Sequence, residues 1–176
     1  MQLDQCPTPL IGFCAFSGTG KTTLLTQLIP LLKAQGIRLA VIKHAHHNFD
    51  VDQKGKDSYK LRHAGANQML ISSSQRWALM TELNDDQSEL KLEELLDQID
   101  HKNIDLILVE GFKHETFSKI ELHRPSLGHP LMCIEDSNIV AFATDQKQKL
   151  PEHVVCLNIN EPKEIATFII QRFKLV

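Results

Sequence analysis

The sequence predicts an α/β fold in which a mostly parallel sheet is covered by helices on both faces. Two observations carry that expectation. Apolar runs of strand length alternate with segments of helical periodicity along the 176 residues. Several of the strand runs, "PLIGFCAF" and "IDLILVEGF" above all, are almost continuously apolar, the pattern of strands buried between two layers.

Taken in order, "PLIGFCAF" (9–16) reads as a buried strand, and Leu24, Leu25, Leu28, Leu31 and Leu32 then fall on one helical face. "IRLAVIK" (37–43) is a strand, followed by a polar loop over 44–55 and a short helix over 56–64. "NQMLISS" and "RWALMTEL" form a β-pair, "LKLEELLDQI" a helix, and "IDLILVEGF" a second fully apolar strand ending in an acid. "KIELHR", "NIVAFAT" and "VVCLNI" are strand-like, and "EPKEIATFIIQRF" is a closing amphipathic helix with Pro162 in its first turn. No repeat or low-complexity segment interrupts the series. The length suits one domain, taken as 1–176.

A net charge of −3 argues against a nucleic-acid partner, which calls for a basic face. The start "MQLDQCPTPL" lacks the basic region and long apolar core of a secretory signal, and no run reaches membrane-spanning length, so the cytoplasm is the expected compartment. The cysteines, Cys6, Cys14, Cys133 and Cys156, make no C-x-x-C pair; with three in apolar surroundings, free and mostly buried thiols are expected.

Chemistry enters with "SGTGKTT" between the first strand and its helix. The phosphate-loop pattern is G-x-x-x-x-G-K-[ST], and Gly20, Lys21 and Thr22 fit it, with Ala15 at the first glycine position. Ala15 closes the strand, so Ser17, Gly18, Thr19 and Gly20 remain as the cradle, where successive amides and the positive helix end face one anion. In such sheets ligands bind at the carboxyl ends of strands. Glu110 stands at one of these ends and is a candidate magnesium ligand opposite the Thr22 hydroxyl. Asp105 opens the same strand at the opposite edge and reads as a surface acid.

The segment "KHAHHNFDVDQKGKDS" (43–58) gives competing readings. His44, His46 and His47 with Asp50 and Asp52 suggest a transition-metal set, but adjacent residues of an extended segment point opposite ways and no complementary cysteine or histidine pair is present. A polar loop over the phosphates fits better, with Asp50 or Asp52 orienting water or magnesium and Lys43 or Lys54 near an anion. A solvated charged loop is the plain alternative.

The blocks "FSGTGKTTLL", "VIKHAHHNFDVDQKGKDSYKLRHAGA", "QRWALMTE" and "IDLILVEGFKHE" together resemble the molybdopterin-guanine dinucleotide biosynthesis adapter family, MobB, in order from about residue 10 to 124. That family also carries Ala or a similar residue at the first glycine position. The resemblance implies a P-loop NTPase-like fold, GTP binding with Mg2+, weak GTP hydrolysis, a homodimer, and cooperation with the guanylyltransferase that attaches GMP to molybdopterin. Carried over by position, Gly18, Thr19, Gly20, Lys21, Thr22 and Thr23 match its phosphate loop, Glu110 its magnesium-side acid, and Asp50 a position facing the phosphates. Lys21 and Asp50 are accordingly the candidate catalytic residues. Arg76 and Trp77 match the "QRWALM" stretch. Two readings stand for Arg76, a guanidinium fork for an anionic pterin phosphate or partner and an ordinary strand-end cation.

Two function classes compete, a nucleotide-binding adapter and a small-molecule kinase on the same loop. Kinases of this kind need several cations around the migrating phosphoryl group. The five arginines, Arg38, Arg62, Arg76, Arg124 and Arg172, are scattered, which favours the adapter. A dimeric switch NTPase with an extra lysine early in the loop is disfavoured because Phe16 and Ser17 occupy that region. No N-K-x-D guanine reader is present. Asp145, just after "NIVAFAT", is either a carboxylate for guanine N1–H and the 2-amino group or a turn residue.

Overall fold

The computed structural model describes residues 3–45, 49–83 and 89–175. In chain order its main elements are β1 (Leu10–Ala15), α1 (Lys21–Ala34), β2 (Leu39–Lys43), α2 (Asp57–His63), β3 (Gln68–Ser72), β4 (Trp77–Thr81), α3 (Leu92–Leu96), β5 (Leu106–Glu110), β6 (Lys119–His123), β7 (Ile139–Thr144), β8 (Val155–Asn158) and α4 (Pro162–Phe173). The chain divides into two compact units, residues 1–44 with 91–176, and residues 45–90.

The larger unit is built on a six-stranded sheet in the order β2-β5-β1-β6-β7-β8. Every pair is parallel. The two-residue period of the strands splits their apolar side chains between two layers. Ile11, Phe13, Leu106, Leu108, Ile120 and Leu122 meet the leucine face of α1 and Ile165, Ala166 and Ile169 of α4. On the opposite face Leu10, Ile42, Ile107 and Val109 pack with Leu92 and Leu96 of α3 and with Phe117, while Cys14, Ile139 and Phe142 pack with Cys133 and Val154. Each such leucine or isoleucine contributes about 1.5–3 kcal/mol on full burial. The mostly parallel sheet with helices on both faces is therefore as the sequence predicts.

Helix α3 is shorter than its apolar pattern. After Leu96 the chain tightens into i to i−3 bonds, from Gln98 N–H to Leu95 O and from Ile99 N–H to Leu96 O. The His101 ring closes this end: Nε2 donates to Leu96 O at 3.0 Å, which leaves Nδ1 to accept from the Thr8 hydroxyl at 2.9 Å.

Strand β6 carries three polar side chains, Lys119, Glu121 and His123, all buried. Burial raises the Glu121 carboxyl above its ordinary value, and Glu121 accepts from the amides of Met132 at 2.9 Å and Cys133 at 2.7 Å. Lys119 donates to Lys113 O at 3.1 Å and Glu115 O at 2.6 Å, and pairs with Asp136 at 2.8 Å. Room for Lys119 comes from Gly12 on β1, where a Cβ would lie 2.7 Å from Phe117 and 2.8 Å from Lys119.

The four thiols are free. Burial pushes Cys14 up to about 12, with Glu121 adding to it, and pushes Cys133 to about 11. Cys156 corrects the expectation of burial, for it is exposed. It sits on the edge strand β8, where only Leu157 is buried.

In the smaller unit β3 and β4 form an antiparallel ribbon, Gln68 opposite Thr81 and Ser72 opposite Trp77. Both strands leave large apolar side chains in solvent, including Leu70 and Trp77. Among the described residues no helix is long and apolar enough to cross a membrane.

Candidate functional site

The loop between β1 and α1 is shaped by two glycines with left-handed backbones, Gly18 at φ 80° and Gly20 at φ 98°. An added Cβ at either would meet nothing within 4 Å. Conformation, not crowding, thus demands glycine there. Thr19 is buried, with its hydroxyl donating to Phe16 O at 2.8 Å. Its side chain therefore braces the loop from inside. The first helical bond runs from Leu24 N–H to Gly20 O at 2.9 Å, so the amides of Lys21, Thr22 and Thr23 lie ahead of the helical ladder, where an anion is favoured. Ser17, Thr22 and Thr23 are exposed at this end.

Glu110 ends β5, the neighbour of β1, and two ammonium groups face its carboxylate. Lys43, paired in register with Glu110 from β2, lies 3.1 Å from both oxygens. Lys21 reaches one oxygen at 3.8 Å. The Glu110 carboxylate is thus set where two ammonium groups converge, and its oxygens and the Thr22 hydroxyl are donors of the hard type that a magnesium ion takes. Gly111 follows at φ 104°, and a Cβ there would lie 2.5 Å from His44 Cβ. The His44 amide donates to Glu110 O at 2.8 Å. Glycine after the acid lets the end of β2 close on it.

On the other flank Arg124, just after β6, engages all three of its nitrogen positions. Nε donates to Thr19 O of the phosphate loop at 3.2 Å, one terminal nitrogen to Asp145 Oδ2 at 2.7 Å, and the other to Asn160 Oδ1 at 3.1 Å. Lys21, Thr22, Glu110 and Asp145 therefore share one edge, the carboxyl ends of parallel strands. Sequence reasoning missed Arg124 and Asn160. The signal available was their position directly after strand-like runs. Asp105, at the opposite edge, forms a fork with Arg38, its oxygens 2.7 and 2.9 Å from the guanidinium nitrogens.

Asp50 and Arg76 belong to the smaller unit. Asp50 bonds Arg62, whose second terminal nitrogen donates to Glu82 at 2.5 Å and whose guanidinium lies over the Tyr59 ring. Asp52 accepts from the Ser58 hydroxyl at 3.0 Å and from the Gln53 amide at 2.8 Å. Arg76 closes the β3–β4 turn, its carbonyl accepting from the Ser73 amide at 2.8 Å and its amide donating to the Ser73 hydroxyl at 3.2 Å, and with Val51, Ile71, Ala78 and Met80 it lines a cavity of about 300 Å³. His46 and His47 lie outside the described residues. Among those described, no group of three or more histidine, cysteine or acidic side chains gathers as a metal-ligand set.

The family model MobB, "Molybdopterin guanine dinucleotide synthesis protein B", matches residues 10–145. The molybdopterin-guanine dinucleotide biosynthesis adapter protein of Escherichia coli (strain K12) is 51% identical over 164 residues, covering 93% of this chain and 92% of its own. The adapter protein of the same description from Haemophilus influenzae is 45% identical over 161 residues, covering 92% and 87%. Among solved structures, that of Bacillus subtilis MobB has a TM-score of 0.72 at 20% identity, over 93% of this chain and 97% of that one. A crystal structure of molybdopterin-guanine biosynthesis protein B has a TM-score of 0.70 at 24% identity, over 94% and 99%. At those identities the solved structures bear on the fold, which is P-loop NTPase-like.

Proposed function

Because the chain belongs to the MobB family, we propose that it is a GTP-binding adapter of molybdenum cofactor biosynthesis, assisting a guanylyltransferase that attaches GMP to molybdopterin. The observation that carries this reading is a phosphate loop whose Lys21 lies 3.8 Å from the strand-end acid Glu110, in a chain 51% identical to an adapter protein.

The amides from Gly18 to Thr23 and the Lys21 ammonium bind the β- and γ-phosphates. Glu110 and Thr22 would hold Mg2+, which when bound supplies positive charge against the terminal phosphates. Lys43 balances the Glu110 carboxylate from the neighbouring strand. Hydrolysis is slow, because the arginine at this edge, Arg124, is already committed to Thr19, Asp145 and Asn160 and is not free to turn to a migrating phosphoryl group. Asp145 accepts from guanine N1–H and the 2-amino group, which adenine cannot match. Arg76 offers its fork to an anionic pterin or to the partner. The protein acts as a cytoplasmic homodimer with one nucleotide-binding domain per chain.

The test is co-purification with a molybdopterin guanylyltransferase, with GTP turnover measured for the chain alone and in the mixture. A complex, slow turnover alone and faster guanylyl transfer in the mixture are expected. Rapid phosphoryl transfer to a small acceptor without any such complex would establish the kinase reading instead.

A further inference from the structure

Arg124 does more than join three loops. A guanidinium has only donors, so whatever faces it must accept. The Asn160 side chain therefore turns its carbonyl oxygen to Arg124, at 3.1 Å, and its NH2 group is left on the other side of the amide. The same guanidinium takes Oδ2 of Asp145 at 2.7 Å, and Oδ1 carries no hydrogen bond among the described residues. Asp145 and Asn160 are both exposed. Strands β7 and β8 are paired neighbours with Thr144 opposite Asn158, so the two side chains emerge beside each other at the same edge. One arginine thus sets an open acceptor, the Asp145 carboxylate, beside an open donor, the Asn160 amide.

That pair is complementary to one face of guanine. Guanine offers two adjacent donors, N1–H and the 2-amino group, followed by an acceptor, O6. Adenine reverses this order, with an acceptor at N1 and a donor at the 6-amino group. Resting on the reading of Asp145 given above, we propose that Asn160 is a second guanine-reading residue, donating from its amide to O6. Arg124 is the positioning residue that fixes the polarity of both readers and ties them to the phosphate loop. The tie is the bond from Arg124 Nε to Thr19 O, a carbonyl of the loop that cradles the phosphates. Base reading and phosphate binding are coupled through it.

The test titrates the whole chain with GTP, ATP, ITP, which lacks the 2-amino group, and 6-thio-GTP, whose sulfur is a weak acceptor in place of O6. Inorganic tripolyphosphate serves as the probe without a base. Wild type is expected to prefer GTP over 6-thio-GTP by about tenfold, the worth of one good hydrogen bond. Asn160→Ala should erase that preference while keeping the preference of GTP over ITP and the affinity for tripolyphosphate. Arg124→Gln should lower the GTP to ATP ratio by about tenfold or more, and Arg124→Lys should recover it in part. If Asn160→Ala leaves the GTP to 6-thio-GTP ratio unchanged, Asn160 is no reader and the proposal fails. Equal weakening of every ligand in Arg124→Gln, with the ratios intact, would make Arg124 a structural clamp only and overturn its positioning role. Should Asp145→Asn leave the GTP to ITP ratio untouched, the reading of Asp145 itself fails, whatever Asn160 does. Thermal melts of each variant identify one that does not fold, and Arg124→Lys then decides the point in place of Arg124→Gln.

Discussion

Replacing Lys119 by methionine keeps an unbranched stem, one atom shorter, and removes the ammonium group. Lys119 is 1% exposed and its ammonium meets three acceptors, Lys113 O, Glu115 O and an Asp136 oxygen. Breaking a buried ion pair from one side costs about 3–5 kcal/mol. Asp136 retains 25% exposure and regains some hydration, which puts its share at the low end. The two carbonyls each lose a charge-assisted bond, and an unsatisfied buried group costs about 1–3 kcal/mol. A net destabilisation of about 3 kcal/mol follows, or roughly 6–12 °C in the melting temperature of a chain of this size. Urea titration with a melting curve measures it. The double variant Lys119→Met/Asp136→Leu should recover part of the loss, because no charge is then left unpaired. The pH dependence checks the same pair. Burial acts to raise Asp136, but the bonds from Lys119 and Asn138 outweigh it and hold the carboxyl below its ordinary value. Its contribution is therefore present above the unfolded-state value and fades as pH falls through the depressed one. A Lys119→Met protein within about 1 kcal/mol of wild type would mean that the buried ammonium does not stabilise this fold.

Lys21→Ala should abolish measurable GTP binding by calorimetry at a cost of about 2–5 kcal/mol, with the melt little changed because Lys43 still faces Glu110. Unchanged affinity would remove the phosphate-loop reading. Glu110→Gln should weaken GTP binding more in magnesium than in EDTA, since a neutral amide is a poor ligand for a hard cation; equal losses in the two titrations would take Glu110 away from the metal. For Asp105, the hydrogen bonds from Arg38 depress the carboxyl to about 2, so its contribution is present above the unfolded value and lost as pH falls through about 2. Asp105→Asn should lose the matching part of the acid sensitivity between about pH 4 and 2, and identical pH profiles for variant and wild type would refute this.

The phosphate loop was legible because its glycines answer a backbone need: Gly18 and Gly20 stand at positive φ between a strand and a helix. The apolar strands and the leucine face of α1 were legible for a similar reason, since their periodicity is local. Strand β6 was not. Its alternation of polar and apolar residues reads like a half-exposed strand, yet Lys119, Glu121 and His123 are all buried. Their partners come from residues 113 to 136 by way of loops whose course no period encodes. Arg124 and Asn160 stayed hidden for the same reason, because 36 residues separate two groups that hydrogen bond. Gly111 shows the intermediate case: its place after an acid was visible, but the reasons for glycine are a left-handed backbone and the contact with His44, and the contact exists only because β2 pairs with β5.

On the nucleotide-binding role proposed above, sheet order sets out along one edge the partners that a nucleoside triphosphate would meet. Each of the six parallel strands leads at its carboxyl end to one such residue: Lys43 ends β2, Glu110 ends β5, Lys21 follows β1, Arg124 follows β6, Asp145 follows β7 and Asn160 lies beyond β8. In spatial order the acid Glu110 lies on one side of the phosphate loop, and the arginine, carboxylate and amide lie on the other. Strands stand about 4.8 Å apart, so the three spacings from β5 to β7 cover about 14 Å, a span suited to an extended triphosphate with its base. The ordering also separates the roles. On the proposed reading, changes at Glu110 or Lys43 would act at the phosphate end, whereas changes at Asp145 or Asn160 would act at the base end. Lys21 lies between the two, and Arg124, bonded to both Thr19 and Asp145, is placed to carry an effect from one end to the other.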